Sequence, residues 1–163
     1  MAVRETPMET PMGSGPAFCP PESGGKRQDL TPSQRDALLA AAIAAMARAH
    51  VPYSHFHVGA AVLDDQGRIH AGCNVENAAY PQGVCAEAGA LSAMVLAGGV
   101  SVQAVLVVGN GEGLVTPCGG CRQKIREFAA PDTPILIANP QQVRATFSLD
   151  ELLPHSFGPE HLA

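Results

Sequence analysis

Four side chains in this sequence have types and spacing that could share one piece of chemistry. Cys85 and Glu87 stand two positions apart in "VCAEA", and Cys118 and Cys121 close the stretch "TPCGGC". Three thiols suit zinc, which takes soft sulfur and nitrogen donors in a tetrahedron. Three protein donors leave the fourth position open, and an open position is what a catalytic zinc needs. It also needs a base that is not itself a ligand, and Glu87 is placed for that work. Residues two apart do not share a face along the body of a helix. At a helix N-terminus the first turn is open, so Cys85 and Glu87 can both reach a site above it. Both cysteine motifs read as helix starts, whose amide ends and dipoles favour thiolates.

Each part of this set has an ordinary alternative. C-x2-C alone also fits a redox pair. A structural zinc would take a fourth ligand, which Cys73 or His70 could supply. A buried Glu87 could simply be paired with an arginine. Three thiols together with a glutamate, and Pro117 before the second cysteine, are far more specific than any one of them.

The elements that must hold these residues follow from periodicity and punctuation. In "TPSQRDALLAAAIAAMARAH", Thr31 caps a helix, Pro32 suits its first position and Gln34 completes a capping box. Leu38, Leu39, Ala42, Ile43 and Met46 give it an apolar face, and it should stop before Val51-Pro52. "HFHVGAAVL" and "IHAGCNV" read as a hairpin turning at Asp64-Asp65-Gln66-Gly67. "CAEAGALSAMVLAGG" reads as a helix ended by Gly98-Gly99, and "VQAVLVVG" as a buried strand. A short helix over "CGGCRQKIREFA", a buried strand over "TPILIAN", an edge strand over "QVRATFS" and a capped turn of helix over "SLDELLP" complete the order. The succession α-β-β-α-β-α-β-β implies a mixed sheet with helices on both faces. His55 and His57 flank Phe56 on the first strand, so both should face away from it. His50 is expected at the end of the first helix, and none of the six histidines is assigned to the metal.

The chain has 163 residues, enough for one domain with a real core. Residues 1–28 mix Pro, Gly and Ser with scattered charges and no period, so a disordered N-terminal extension is expected there, with Cys19 as an incidental thiol. Residues 29–163 form the expected domain. Net charge is −5 and aromatic residues make up 4% of the chain, which excludes the basic, stacking surfaces of nucleic-acid binders. The first residues hold no apolar stretch, so no leader is expected, and no uninterrupted apolar run is long enough to suggest a membrane span. Five cysteines without a disulfide spacing fit reduced thiols and a cytoplasmic location.

The stretches "PYSHFHVGAAV", "GCNVENAAYPQGVCAE", "TPCGGCRQ" and "ELLPHSFGPEHL", spread over residues 49–162, resemble the homotetrameric cytidine deaminases of nucleoside salvage that bind zinc through cysteines alone. The resemblance implies a three-layer α/β/α sandwich with a mixed, roughly five-stranded sheet. It implies one zinc per subunit on Cys85, Cys118 and Cys121, and Glu87 as the general acid and base. The expected reaction converts cytidine and 2′-deoxycytidine to uridine and 2′-deoxyuridine, by zinc-activated water adding at C4. Asn74 and Glu76 match residues that hold the ribose. Ala78 and Ala86 match backbone contacts to the base, and Phe56 matches the aromatic that packs on it. Phe157 matches an aromatic delivered by a neighbouring subunit, and Tyr80 and Tyr53 match positions near subunit boundaries. The partners implied are a nucleoside and copies of the same chain in a homotetramer with shared active sites, with neither nucleic acid nor membrane. A deaminase of another aminopyrimidine nucleoside, of the blasticidin S type, and a non-catalytic zinc-binding module are the alternatives. Where the family commonly continues "CAER", this chain has Ala88. Arg122, next to Cys121, is the nearest cation in sequence to replace the missing charge.

Overall fold

The computed structural model describes residues 29–162, so the expectations for residues 1–28 and for Cys19 lie outside the described residues. Five strands, β1 (Val58–Asp64), β2 (Ile69–Cys73), β3 (Val102–Gly109), β4 (Pro134–Ala138) and β5 (Val143–Ser148), form one sheet in the order β2-β1-β3-β4-β5. β3 and β4 run parallel, and the other neighbouring pairs are antiparallel. A parallel pair needs a crossover, and the helix α3 (Gly119–Arg126) provides it.

Strand residues alternate between two faces, and here both faces are covered. Ala60, Val62, Val105, Val107, Ile135 and Ile137 pack under α2 (Ala86–Leu96) and α3, with Ala90, Met94 and Ile125. Ala61, Leu63, Leu106, Val108 and Leu136 pack against Leu38 and Ala42 of α1 (Pro32–Met46). The result is the expected α/β/α sandwich. Thr31 and Gln34 form the capping box at the start of α1, and Ser148 and Glu151 form another at the start of α4 (Leu149–Leu152).

Two expectations fail at the entrance to β1. The first helix ends at Met46, and His50 instead pairs with Val75 in an isolated bridge. The strand begins at Val58, and His55 adopts φ 58°, so His55 and His57 do not flank Phe56 on a strand. The cause is Asn74. Its side-chain amide donates to Phe56 O (2.9 Å) and its Oδ1 accepts from Val58 N (2.9 Å), taking the place of a ladder and bending the chain.

A glycine sets the seat of α2 on the sheet. A Cβ on Gly72 of β2 would lie 2.4 Å from Ala90 N and 2.5 Å from Ala86 O. Only hydrogen at this position lets the start of α2, which carries Cys85 and Glu87, lie so close to β2.

Candidate active site

Cys85 is the N-cap of α2 and Cys118 the N-cap of α3, both in extended conformation. Neither helix carries a side-chain cap, so their first amides face the space between the two ends. Cys121, one turn into α3, is buried and points to the same space. The three sulfurs lie within 4.8 Å of one another, with Cys85 Sγ 3.9 Å from Cys118 Sγ. Thiolates at ~2.3 Å from a tetrahedral zinc would be roughly 3.8 Å apart, so the donor set fits that ion. Among the described residues no fourth donor joins them. His70 is engaged with Asp64, and Cys73 lies outside the cluster.

The electrostatics call for a cation. Burial pushes the Cys121 thiol well up, and the Glu87 carboxylate and Cys85 push it further. Cys85 is raised, by burial first and against the lowering effect of Cys121. Burial also acts on Cys118, but the Cys121 backbone N–H and the neighbouring thiols outweigh it and hold Cys118 below its usual value. Three thiolates this close repel one another, and a positive charge among them would relieve that repulsion.

Glu87 is 4% exposed, with Oε2 3.3 Å from Cys121 Sγ. Among the described residues it has no ion-pair partner, so the alternative of a glutamate paired with arginine is excluded. Its carboxylate lines the inner part of a cleft, about 210 Å³, with Phe56, Val58, Asn74, Cys85, Ala86, Val115, Thr116 and Cys118. An outer part of about 520 Å³ shares Asn74 and Cys85 with the inner one, and Glu76, Tyr80, Ser54 and Tyr53 line it. Tyr53 and Tyr80 meet edge to face, with centroids 6.2 Å apart.

Two of the expected residues stand apart from this cleft. Ala78 is exposed and lines neither part. Phe157 is 57% exposed, stacked on the His161 ring, with its carbonyl held by Gln123 Nε2. Arg122 does not place its guanidinium on the sulfurs as hydrogen-bond donor. Its Nε, Nη1 and Nη2 donate to Pro117 O, Leu152 O and Thr116 Oγ1, which ties the loop before Cys118 to the end of α4. All three guanidinium nitrogens donate to oxygens, and among the described residues no cysteine sulfur is a hydrogen-bond partner of Arg122. The backbone amide of Cys121 is a donor at Cys118. Ala88 lines a separate groove between α2 and α3, with Leu91, Ser92, Gln123 and Lys124. Val115 and Ser54 line the cleft without having been singled out by sequence. Val115 lies in a loop with no period, and Ser54 was visible only as part of "PYSHF".

A family model described as the cytidine and deoxycytidylate deaminase zinc-binding region matches residues 32–137. A curated protein named cytidine deaminase from Sporosarcina psychrophila is 42% identical over 126 residues, 77% of this chain and 93% of that one. A cytidine deaminase of Mycobacterium tuberculosis is 42% identical over 118 residues, covering 72% of this chain and 85% of its own. The crystal structure of cytidine deaminase from Burkholderia pseudomallei superposes with a TM-score of 0.70 at 42% identity, over 75% of this chain and 98% of that one.

Proposed function

The chain belongs to the cytidine and deoxycytidylate deaminase family, with a cysteine cluster suited to zinc, and from that premise we propose that it hydrolyses cytidine and 2′-deoxycytidine to uridine and 2′-deoxyuridine with release of ammonia. The observation that carries this reading is Glu87, a buried carboxylate with no cation partner among the described residues, beside Cys121 Sγ and lining the inner cleft. A zinc ion on Cys85, Cys118 and Cys121 would supply a Lewis acid that makes water a competent nucleophile near neutral pH.

Glu87 then does the proton work. Its carboxylate takes a proton from the attacking water, passes it to N3 of the pyrimidine as oxygen adds at C4, and returns the second proton to the departing amino group. Each transfer is short, so one carboxylate serves for all of them. Phe56 offers its face to the base, and the backbone at Ala86, which lines the inner cleft, holds the polar edge. Asn74 and Glu76 meet the ribose in the outer part of the cleft. Glu76 keeps its charge readily, since hydrogen bonds from Ser54 and from the Tyr53 backbone hold its carboxyl below the usual range.

The active species in this reading is a homotetramer in the cytoplasm, where thiols stay reduced. Phe157 would then reach a neighbour's cleft. Its exposure, with that of Leu96 (90%) and Val95 (51%), favours self-association. The test is incubation of the purified protein with cytidine, 2′-deoxycytidine, CMP, cytosine and blasticidin S, following loss of the cytosine absorbance. Turnover of the first two alone supports the assignment. Turnover of blasticidin S alone, or of none, overturns it.

A further inference from the structure

Glu76 stands in the outer cleft with three of its acceptor sites already filled. Oε2 accepts from Tyr53 N (2.9 Å) and Ser54 N (3.2 Å), and Oε1 accepts from the Ser54 hydroxyl. An ionised carboxylate offers about four lone-pair sites. The one left is on Oε1, the oxygen that Ser54 already grips. The same Ser54 oxygen accepts from Phe56 N (3.0 Å). Between these two residues His55 is held in the left-handed region at φ 58°, a conformation that non-glycine residues seldom adopt unless their surroundings hold them there. One hydroxyl therefore links the carboxylate of the outer cleft to the ring of the inner cleft.

We propose that Ser54 is a positioning residue for the nucleoside. It aims the free lone pair of Glu76 at the 3′-hydroxyl of the sugar and fixes the turn that presents Phe56 to the base. This rests on the reading that a nucleoside fills the cleft, base inward and sugar outward. Asn74, which bonds Phe56 O and Val58 N, keeps a second amide N–H for the sugar beside Glu76. Among the described residues, Ser54 is the side chain that joins Glu76 to the Phe56 turn.

The experiment compares cytidine with 3′-deoxycytidine, which lacks only the 3′-hydroxyl, on wild type, Ser54→Ala and Ser54→Thr. Ser54→Ala should raise KM for cytidine about 10-fold, the scale of one hydrogen bond to a charged group. The increase for 3′-deoxycytidine should be about twofold or less, since no hydroxyl meets the misaimed carboxylate. Ser54→Thr, which keeps the hydroxyl, should bring the cytidine KM back toward wild type. An equal rise on both nucleosides, or no rise, overturns the proposal, because a merely structural role would not distinguish them. If melting curves show that Ser54→Ala does not fold, Ser54→Cys replaces it, with the same outcomes deciding. Wild type that deaminates no cytidine defeats the functional reading itself, whereas active wild type indifferent to Ser54 defeats only this inference.

Discussion

Asp64, at the hairpin end of the sheet, and Glu87, at the start of α2, are both cut off from solvent, at 0% and 4% exposure. Asp64 accepts from the backbone N–H groups of Gln66 and Arg68, from Arg68 Nε at 2.7 Å, and faces His70 Nε2 at 2.8 Å. Burial alone would raise its pKa, but these partners outweigh it and bring it down to about 2. Glu87 has Cys121 Sγ as its hydrogen-bond partner and opens on a cleft. A carboxylate saturated with donors is fixed in charge and place and serves the fold. One left short of donors beside three thiols, as Glu87 is, suits the proton work proposed for it.

Exchanging each carboxylate for its amide separates the two roles. Glu87→Gln should lower turnover by ~10²–10⁴-fold or more, the general acid–base contribution, with an unchanged melting curve. Steady-state kinetics and calorimetry on one preparation check both halves. Asp64→Asn should do the reverse. It leaves Arg68 and His70 facing a neutral group, which costs about 3 kcal/mol of stability by denaturant titration, while kcat of the folded protein stays near wild type.

The Asp64 pKa also gives a pH signature. A carboxyl depressed from 3.8 to about 2 adds stability that is complete above pH 4 and is lost as pH falls toward 2. The loss should be about 2 kcal/mol and largely absent in Asp64→Asn. A smaller effect is expected at the exposed aromatic. Phe157→Ala should raise KM for cytidine, with base stacking worth ~1–3 kcal/mol as the guide. Light scattering should report the oligomer. A fully active monomer would remove Phe157 from the site. Deleting residues 1–28 should change neither activity nor melting temperature.

The chemistry was more legible in sequence than its supports. Cys85, Glu87, Cys118 and Cys121 are set by local rules, since a helix start announces itself within a few residues and fixes where its cap points. The strands were legible because burial on both faces leaves unbroken apolar runs such as "VQAVLVVG". What sequence missed depends on contacts across the fold. Asn74 displaces the start of β1 by bonding to residues 56 and 58, and no periodicity registers a side chain that replaces a ladder. His55 takes a positive φ with no glycine or asparagine to signal it. Arg122 is adjacent to Cys121 in sequence yet turns its donors to Pro117 and Leu152. Proximity along the chain was a poor guide to which charge faces the sulfurs.

The most direct test is metal analysis joined to turnover. The account predicts one zinc per chain, loss of cytidine deamination when a chelator strips the metal, and recovery as zinc returns to one equivalent. Full deamination by the stripped chain, or a chain carrying one zinc that deaminates no nucleoside, would contradict it.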